Sequence, residues 1–227
     1  MQATLSIVGT PIGNLEDITL RAIRTLKESD LVLCEDTRVT KRLFERYEIK
    51  TKTLSYHEHS SITKVDQILG LLREGKHIAL VTDSGMPTIS DPGADLVNYV
   101  RSIPDLEVKV EVVPGPTALS SAISLSGLIM REFVFLGFLP HKKGRETALK
   151  KIAVTEDAVV LYESSHRIEK LMREFGKYLP TRKVVICKEM TKIHEEFIAG
   201  YPDEVSKILT DHSEKKKGEF VVIVSAA

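Results

Sequence analysis

His77-Ile-Ala-Leu-Val-Thr-Asp-Ser-Gly-Met-Pro-Thr-Ile-Ser-Asp-Pro-Gly93 carries an uninterrupted aliphatic run into a turn dense in Gly, Pro, Ser and Asp. Ile78 to Val81, with no polar interruption, predict a strand covered on both faces, as in a parallel sheet. The residues after it can continue neither a strand nor a helix. Gly85 and Gly93 admit backbone angles that other residues resist, while Pro87 and Pro92 fix φ and remove donors. In open α/β sheets ligands bind beyond the carboxyl ends of strands, so a stiff loop with bare carbonyls there is a candidate ligand floor. A structural reading stands beside it. Asp91-Pro92-Gly93-Ala94 would start a helix, with Asp91 as N-cap and Pro92 at the first helical position.

Upstream of this stretch, Leu5 to Val8 predict a strand broken by Gly9-Thr-Pro-Ile-Gly13-Asn14. A helix follows from near Thr19, with Leu20, Ile23 and Leu26 on one face. Leu31 to Cys34 form a second strand ending in Glu35-Asp36, and Thr37 caps a helix carrying Val39, Leu43 and Phe44. A third strand covers Thr53 to His57, and the helix after it presents Ile62, Val65, Ile68, Leu69 and Leu72. Downstream come a helix from Ala94 to Arg101 and a strand from Val108 to Val113. Alternating strands and helices of this length predict a largely parallel sheet with helices on both faces.

Val113-Pro-Gly-Pro-Thr117 is the next break, and the helix from Thr117 to Leu128 is rich in small residues: Ala118, Ser120, Ser121, Ala122 and Ser124. Small side chains permit close packing, within the chain or against a partner. The domain junction is placed here, giving an N-terminal α/β domain over 1–115 and a C-terminal α/β domain over 116–227. The second half reads as strands at Phe133 to Phe138, Ala158 to Tyr162, Lys183 to Cys187 and Phe220 to Val224, with a weaker one near Phe197. Helices are expected from Arg145 to Ile152 and from Arg167 to Tyr178. Some neighbouring strands would pair antiparallel, making a mixed sheet.

Composition narrows the classes. The chain has 227 residues, 42% hydrophobic and 28% charged, which describes an ordinary globular protein with a real core. Lys plus Arg and Asp plus Glu number 32 each, so a globally basic nucleic-acid binder is not indicated and any RNA contact must come from local clustering. Cys34 and Cys187, each inside an apolar run, read as buried thiols in a reducing compartment. No apolar run approaches the roughly 18 to 20 residues of a membrane helix, and no signal pattern opens the chain, so the cytoplasm is expected.

Other chemistries find little support. Gly9-Thr-Pro-Ile-Gly13 lacks the G-x-G-x-x-G spacing, Pro11 removes a donor that a pyrophosphate would use, and Asn14 to Ile18 separate the turn from its helix. The nucleotide-binding Gly-Lys-Ser/Thr pattern is absent. His57-Glu58-His59 has no further ligand at metal spacing, so no metal is expected. No G-x-S-x-G turn marks a serine hydrolase, and Ser164-Ser165-His166-Arg167 reads as a turn and helix cap. Basic residues do gather in two places. Arg38, Lys41, Arg42 and Arg46 recur at helical spacing, and His141, Lys142, Lys143, Arg145, Lys150 and Lys151 form a second group. Two such patches would suit a phosphate backbone, although charge runs commonly just face water.

Six ordered stretches together carry a resemblance. Val8-Gly-Thr-Pro-Ile-Gly-Asn-Leu-Glu-Asp-Ile-Thr19, Cys34-Glu-Asp-Thr-Arg38, Asp83-Ser-Gly-Met-Pro-Thr-Ile-Ser-Asp-Pro-Gly93, Val113-Pro-Gly-Pro-Thr-Ala118, Phe138-Leu-Pro and Tyr162-Glu-Ser-Ser-His-Arg167 resemble the ribosomal RNA small subunit methyltransferase I family of the tetrapyrrole methylase superfamily. The resemblance implies two α/β domains with S-adenosyl-L-methionine in the cleft between them. It implies 2′-O-methylation of a cytidine in the decoding region of 16S rRNA, on the 30S subunit or its RNA, by a homodimer. Carried over by motif, the cofactor residues would be Pro11, Ser84, Gly85, Met86, Pro87, Ile89, Thr117, Ala118, Tyr162 and Glu163. The chain departs from the family pattern with Ser84 and Met86, where Ala and Thr are common, and it lacks the C-terminal extension of some members.

In such a reaction most of the rate comes from alignment, with a base removing the ribose proton late. Asp36 or Glu35 would accept or orient that proton, Arg38 would fix the adjacent phosphate, and His57 is the other candidate base. Arg38, Lys41, Arg42, Lys142, Lys143 and Arg145 are the expected RNA contacts. Two alternatives remain open: a methylase of a small tetrapyrrole-like substrate, and a non-catalytic RNA-binding module with a vestigial cofactor site.

Overall fold

A computed structural model describes residues 2–57 and 62–227. These fold as two compact units that meet in sequence between Thr117 and Ala118. The first unit is built on a five-stranded sheet in the order β3-β2-β4-β1-β5. Its strands are β1 (Ala3–Val8), β2 (Leu31–Cys34), β3 (Thr53–Ser55), β4 (His77–Leu80) and β5 (Val108–Val113), and every pairing is parallel. The chain runs outward from β1 to β2 and β3 through α1 (Leu20–Glu28) and α2 (Thr37–Tyr47). It returns to β4 and β5 through α3 (Ile62–Arg73) and α4 (Ala94–Ser102). Right-handed crossovers put the outward and returning helices on opposite faces.

The two faces have separate cores. Ala22, Leu26, Leu43 and Phe44 of α1 and α2 pack on Val8, Val32, Ala79 and Val81. Ile68, Leu69, Leu72, Leu96 and Val100 of α3 and α4 pack on Leu5, Ile7, Leu33, Ile78 and Leu80. Alternate residues of each strand thus serve opposite cores, which is why β2 and β4 are aliphatic throughout. One consequence positions the site. β2 and β4 are neighbours, yet their exits lead to α2 on one face and α4 on the other, which opens a crevice at their carboxyl ends.

Local details differ from the expectations. Leu20 is 86% exposed, because it lies roughly 120° around the helix from the buried Leu26 at 100° per residue. Ala22 and Thr25 share the inward face instead. Asp36 rather than Thr37 is the N-cap of α2. α4 starts after Gly93, with φ of 125° and no side-chain cap, so Asp91 and Pro92 lie outside it. A Cβ at Gly93 would come within 2.6 Å of Leu80 Cδ2, and this close approach to β4 requires glycine. β3 stops at Ser55 rather than His57, because its partner β2 ends at Cys34, opposite Ser55.

The second unit holds a mixed sheet in the order β6-β7-β10-β8-β9. Here β6 (Phe133–Phe138) and β7 (Ala158–Ser164) pair parallel, while β8 (Val184–Lys188), β9 (Glu196–Gly200) and β10 (Glu219–Val224) join antiparallel. One face carries α6 (Arg145–Val154), α7 (Ile168–Tyr178) and α8 (Pro202–Asp211), with Phe175, Leu171, Ile152 and Leu209 buried among Leu161, Ile186 and Val222. The small-residue helix α5 (Ala118–Ser126) packs within the chain against β8 and β10, with Ala122 fully buried beneath them. α8 had no counterpart in the strand-and-helix expectation. Pro202 opens it, and Glu204 Oε2 accepts the Tyr201 N–H at 2.8 Å. Cys34 and Cys187 are free and buried. No helix among the described residues is long and apolar enough to cross a membrane.

Candidate active site

The loops after β1, β4 and β5 converge at the carboxyl edge of the parallel sheet. Thr10 N–H donates to Gly85 O at 2.9 Å and Gly85 N–H returns to Thr10 O at 3.1 Å, an isolated two-residue bridge. Thr10 Oγ1 donates to Thr82 O at 3.0 Å. A Cβ at Gly9 would lie 2.6 Å from Met86 Sδ and 2.7 Å from Gly115 Cα, so backbone packs directly on backbone there. The loop after β4 takes positive φ at Gly85 (87°), Thr88 (73°), Ser90 (64°) and Gly93 (125°). For a β-branched threonine this is an unfavourable conformation of about 1–3 kcal/mol, held only because the surroundings over-determine it. Stiffness was expected; bare carbonyls were expected too, and that needs correction at Thr82 and Gly85, whose oxygens are taken by Thr10. Ser84, Thr88 and Ser90 are the loop residues most open to solvent.

Beside this loop, in the β2–β4 crevice, lies a cavity of about 430 Å³ lined by Glu35, Asp36, Thr37, Arg38, Ser55, His57 and Asp83. The lining residues lie at the ends of β2, β3 and β4 or just after them, Thr37 and Arg38 in the first turn of α2, so three parallel strands deliver them. All four residues considered for catalysis line this one cavity, whereas Glu58 and His59 fall outside the described residues. Asp36 is committed to Arg38. Its Oδ1 accepts the Arg38 backbone N–H at 2.8 Å, and the guanidinium closes on both carboxylate oxygens, Nη2 reaching Oδ2 at 2.6 Å. That pairing holds the Asp36 carboxyl down at about 2. A carboxylate so acidic is a poor proton acceptor near neutrality, so of the two roles expected for Asp36, accepting or orienting the proton, its pairing favours orienting.

Asp83 has the opposite character. Burial pushes its carboxyl above the ordinary range, and Oδ1 accepts the Asp36 backbone N–H at 3.0 Å. Thr82 Oγ1 reaches Glu35 Oε2 at 3.4 Å on the same wall. The sequence reading quoted Asp83 within a motif but gave it no role, and it passed over Ser55. The available signal was an acid shortly after each of two strands that run parallel, which must reach the same sheet edge.

Of the residues expected around a cofactor, Pro11, Gly85 and Pro87 are buried, Met86, Ile89, Thr117 and Ala118 are half-buried, and Ser84 is exposed. Tyr162 is half-buried and packs edge-on against Phe135 at 5.1 Å and Phe138 at 5.6 Å between ring centres. Glu163 is 1% exposed, its Oε1 accepts the Ser164 N–H at 2.9 Å and pairs with Arg167 Nε at 3.0 Å, and its Oε2 makes no hydrogen bond.

The basic groups also divide. Lys41, Arg42, Lys142 and Lys143 are exposed, and Arg38 is 88% exposed despite its bond to Asp36. Arg145 is 4% exposed and bound by Glu174, so it is not a surface contact for RNA as expected. A cation heading a helix reads as surface from sequence, and only its packing shows otherwise. Among the described residues, no group of three or more His, Cys, Asp or Glu side chains is arranged to hold a metal ion.

The family model described as Tetrapyrrole (Corrin/Porphyrin) Methylases matches residues 4–206. A protein of Thermotoga maritima named ribosomal RNA small subunit methyltransferase I is 46% identical over 223 residues, covering 97% of either chain. A protein of the same name from Halalkalibacterium halodurans is 45% identical, over 98% of this chain and 76% of its own. Among solved structures, a cobalt precorrin-4 methyltransferase superposes with a TM-score of 0.74 at 18% identity, covering 99% of this chain and 95% of that one. The uroporphyrin-III C-methyltransferase of Thermus thermophilus, complexed with S-adenosyl homocysteine, gives 0.65 at 20% identity over 98% and 96%. Both likenesses are of fold.

Proposed function

We infer that this chain, which belongs to the tetrapyrrole (corrin/porphyrin) methylase family and to its ribosomal RNA small subunit methyltransferase I group, methylates the 2′-hydroxyl of a cytidine ribose in the decoding region of 16S rRNA. The observation that carries this reading is Asp83, a carboxylate raised by burial, in one cavity with an exposed arginine held in a carboxylate fork. Such a pair suits a hydroxyl that must lose its proton next to a phosphate.

The residues of the first unit fit S-adenosyl-L-methionine, which supplies a methyl group on a sulfonium whose leaving group is a neutral thioether. Pro11 and the Ser84–Ile89 loop would hold it. Backbone groups and the exposed Ser84 hydroxyl suit its amino-acid and ribose parts, and half-buried Met86 and Ile89 offer apolar surface to its base. Ser84 and Met86, the departures from the family pattern, are compatible with this because the loop's shape is set by backbone bonds to Thr10.

Asp83 receives the ribose proton. Arg38, oriented by Asp36, binds the neighbouring phosphate, while Lys41, Arg42, Lys142 and Lys143 add sequence-independent grip. His57, at the cavity rim, orients the nucleoside. A substrate of this kind places the enzyme in the cytoplasm, and we include a homodimer in the same reading, which sedimentation at twice the chain mass tests.

Methyl transfer from tritiated donor to 30S subunits lacking this modification, with the labelled nucleotide mapped by its resistance to alkaline hydrolysis, tests the proposal. Asp83→Asn should lower kcat by about 10²–10⁴-fold with S-adenosylhomocysteine binding retained. Because the base must be deprotonated and its pKa is raised, kcat should climb with pH through a value above the usual carboxylate range. The variant should lose that limb. Label in a tetrapyrrole and none in 30S subunits would replace the RNA substrate, and binding without transfer to either would make the chain a non-catalytic module.

A further inference from the structure

We propose that the buried Arg145–Glu174 and Arg167–Glu163 pairs are a positioning clamp that presets the basic segment His141-Lys142-Lys143 for rRNA phosphates; this rests on the reading of Lys142 and Lys143 as phosphate contacts. The segment leaves β6 through Leu139 and Pro140 and enters α6 at Arg145. The exit from β6 is fastened by two guanidinium groups. Arg167 Nη2 donates to Leu139 O, and Arg145 Nη1 donates to the next carbonyl, Pro140 O, at 3.2 Å. The Arg145 backbone N–H closes on Lys142 O at 3.2 Å, and Gly144 turns with φ of 84°.

The arginines are fixed in turn by core carboxylates. Arg145 meets Glu174 through Nε at 2.9 Å and Nη2 at 2.6 Å, a two-point fork. Arg167 Nε lies 3.0 Å from Glu163 Oε1. The fourth corner is looser. Glu163 Oε2 makes no hydrogen bond and stands 3.8 Å from Arg145 Nη2, so the two pairs adjoin without sharing a bond. Arg145 and Arg167 are thus matched by Glu174 and Glu163, with Lys170 Nζ also standing 3.8 Å from Glu174 Oε1, and His141, Lys142 and Lys143 stay exposed.

Buried ion pairs are weak contributors to stability compared with apolar packing, and their best-attested use is to fix one geometry. Here the geometry fixed is that of three consecutive exposed basic residues. Holding them in advance removes the ordering cost that two free lysines would incur on binding a polyanion.

The test uses Glu174→Gln, Arg145→Lys and the double variant Lys142→Ala/Lys143→Ala in the full chain. Readouts are circular dichroism, S-adenosylhomocysteine binding by calorimetry, and 30S affinity across salt concentrations. Folded Glu174→Gln and Arg145→Lys should bind 30S about 3–10-fold more weakly with a shallower salt slope, cofactor-product affinity staying within about twofold. Adding Glu174→Gln to the double lysine variant should change little further, because both act through the same lysines.

Undiminished 30S binding by folded Glu174→Gln and Arg145→Lys, or an equal loss with and without the lysines, overturns the clamp alone. Undiminished binding by the double lysine variant overturns the phosphate-contact reading beneath it. Glu174 keeps 20% of its side chain exposed, so its Gln variant is the one expected to fold. Loss of fold in that variant also overturns the proposal, by making the pairs a requirement of the core.

Discussion

Gly9 and Gly115 meet backbone to backbone at the edge of the parallel sheet, with Met86 Sδ closing the third side. A methyl group at Gly9 would strike main-chain atoms of Gly115 at 2.7 Å, which cannot swing away as a side chain can. Gly9→Ala should therefore cost about 1–3 kcal/mol, read as a lower midpoint in urea denaturation. Since Thr10 bonds the loop after β4, the same change should weaken S-adenosylhomocysteine binding. Charge at single residues is equally decided by neighbours. Asp36, with its pKa depressed to about 2 by Arg38, contributes stability above its unfolded pKa and loses it only as pH falls through about 2. The fork therefore stays closed across any assay range, whereas burial pushes the Asp83 carboxyl of the same cavity upward.

The elements that carry the site owe their ends to short polar contacts. Thr19 Oγ1 accepts the Ala22 N–H at 3.0 Å at the head of α1, the helix that covers β1 and β4. Thr19→Ala should cost about 1 kcal/mol, with Thr19→Ser near neutral, measured by thermal or urea unfolding. At α2 the cap belongs to Asp36, so one carboxylate ends β2, starts the helix and orients Arg38. These caps were legible to within a residue. The start of α4 at Ala94 was legible as well, but its cap was not, because Asp91-Pro92 has the local chemistry of a helix start while the close approach of Gly93 to Leu80 leaves both residues outside the helix. α8 escaped because a short amphipathic segment between polar stretches gives little periodic signal, although Pro202 and Glu204 mark its head.

For the molecule as a whole, equal totals of 32 basic and 32 acidic residues mean that attraction to RNA comes from placement. With Arg145 buried, the exposed residues among the expected RNA contacts are Arg38, Lys41 and Arg42 on one unit and Lys142 and Lys143 on the other. Removing Lys41 and Arg42 together should weaken 30S binding uniformly across RNA sequences and lower the salt slope by about one per charge. Filter binding over a salt series checks this.

The alternation of strands and helices, the stiff loop after β4 and the six family stretches were all readable along the chain. Each depends on spacing or on residues adjacent in sequence, and hydrophobic periodicity reports such features directly. The tertiary structure decided what lies across a sheet or beneath a helix. Strand order made neighbours of Asp36 and Asp83, whose strands are separated in sequence by β3 and two helices. Packing made Arg145, which reads as a surface contact, a buried partner of Glu174. A side chain's charge is written in its sequence, but its pKa and availability depend on desolvation and on partners brought from a distance.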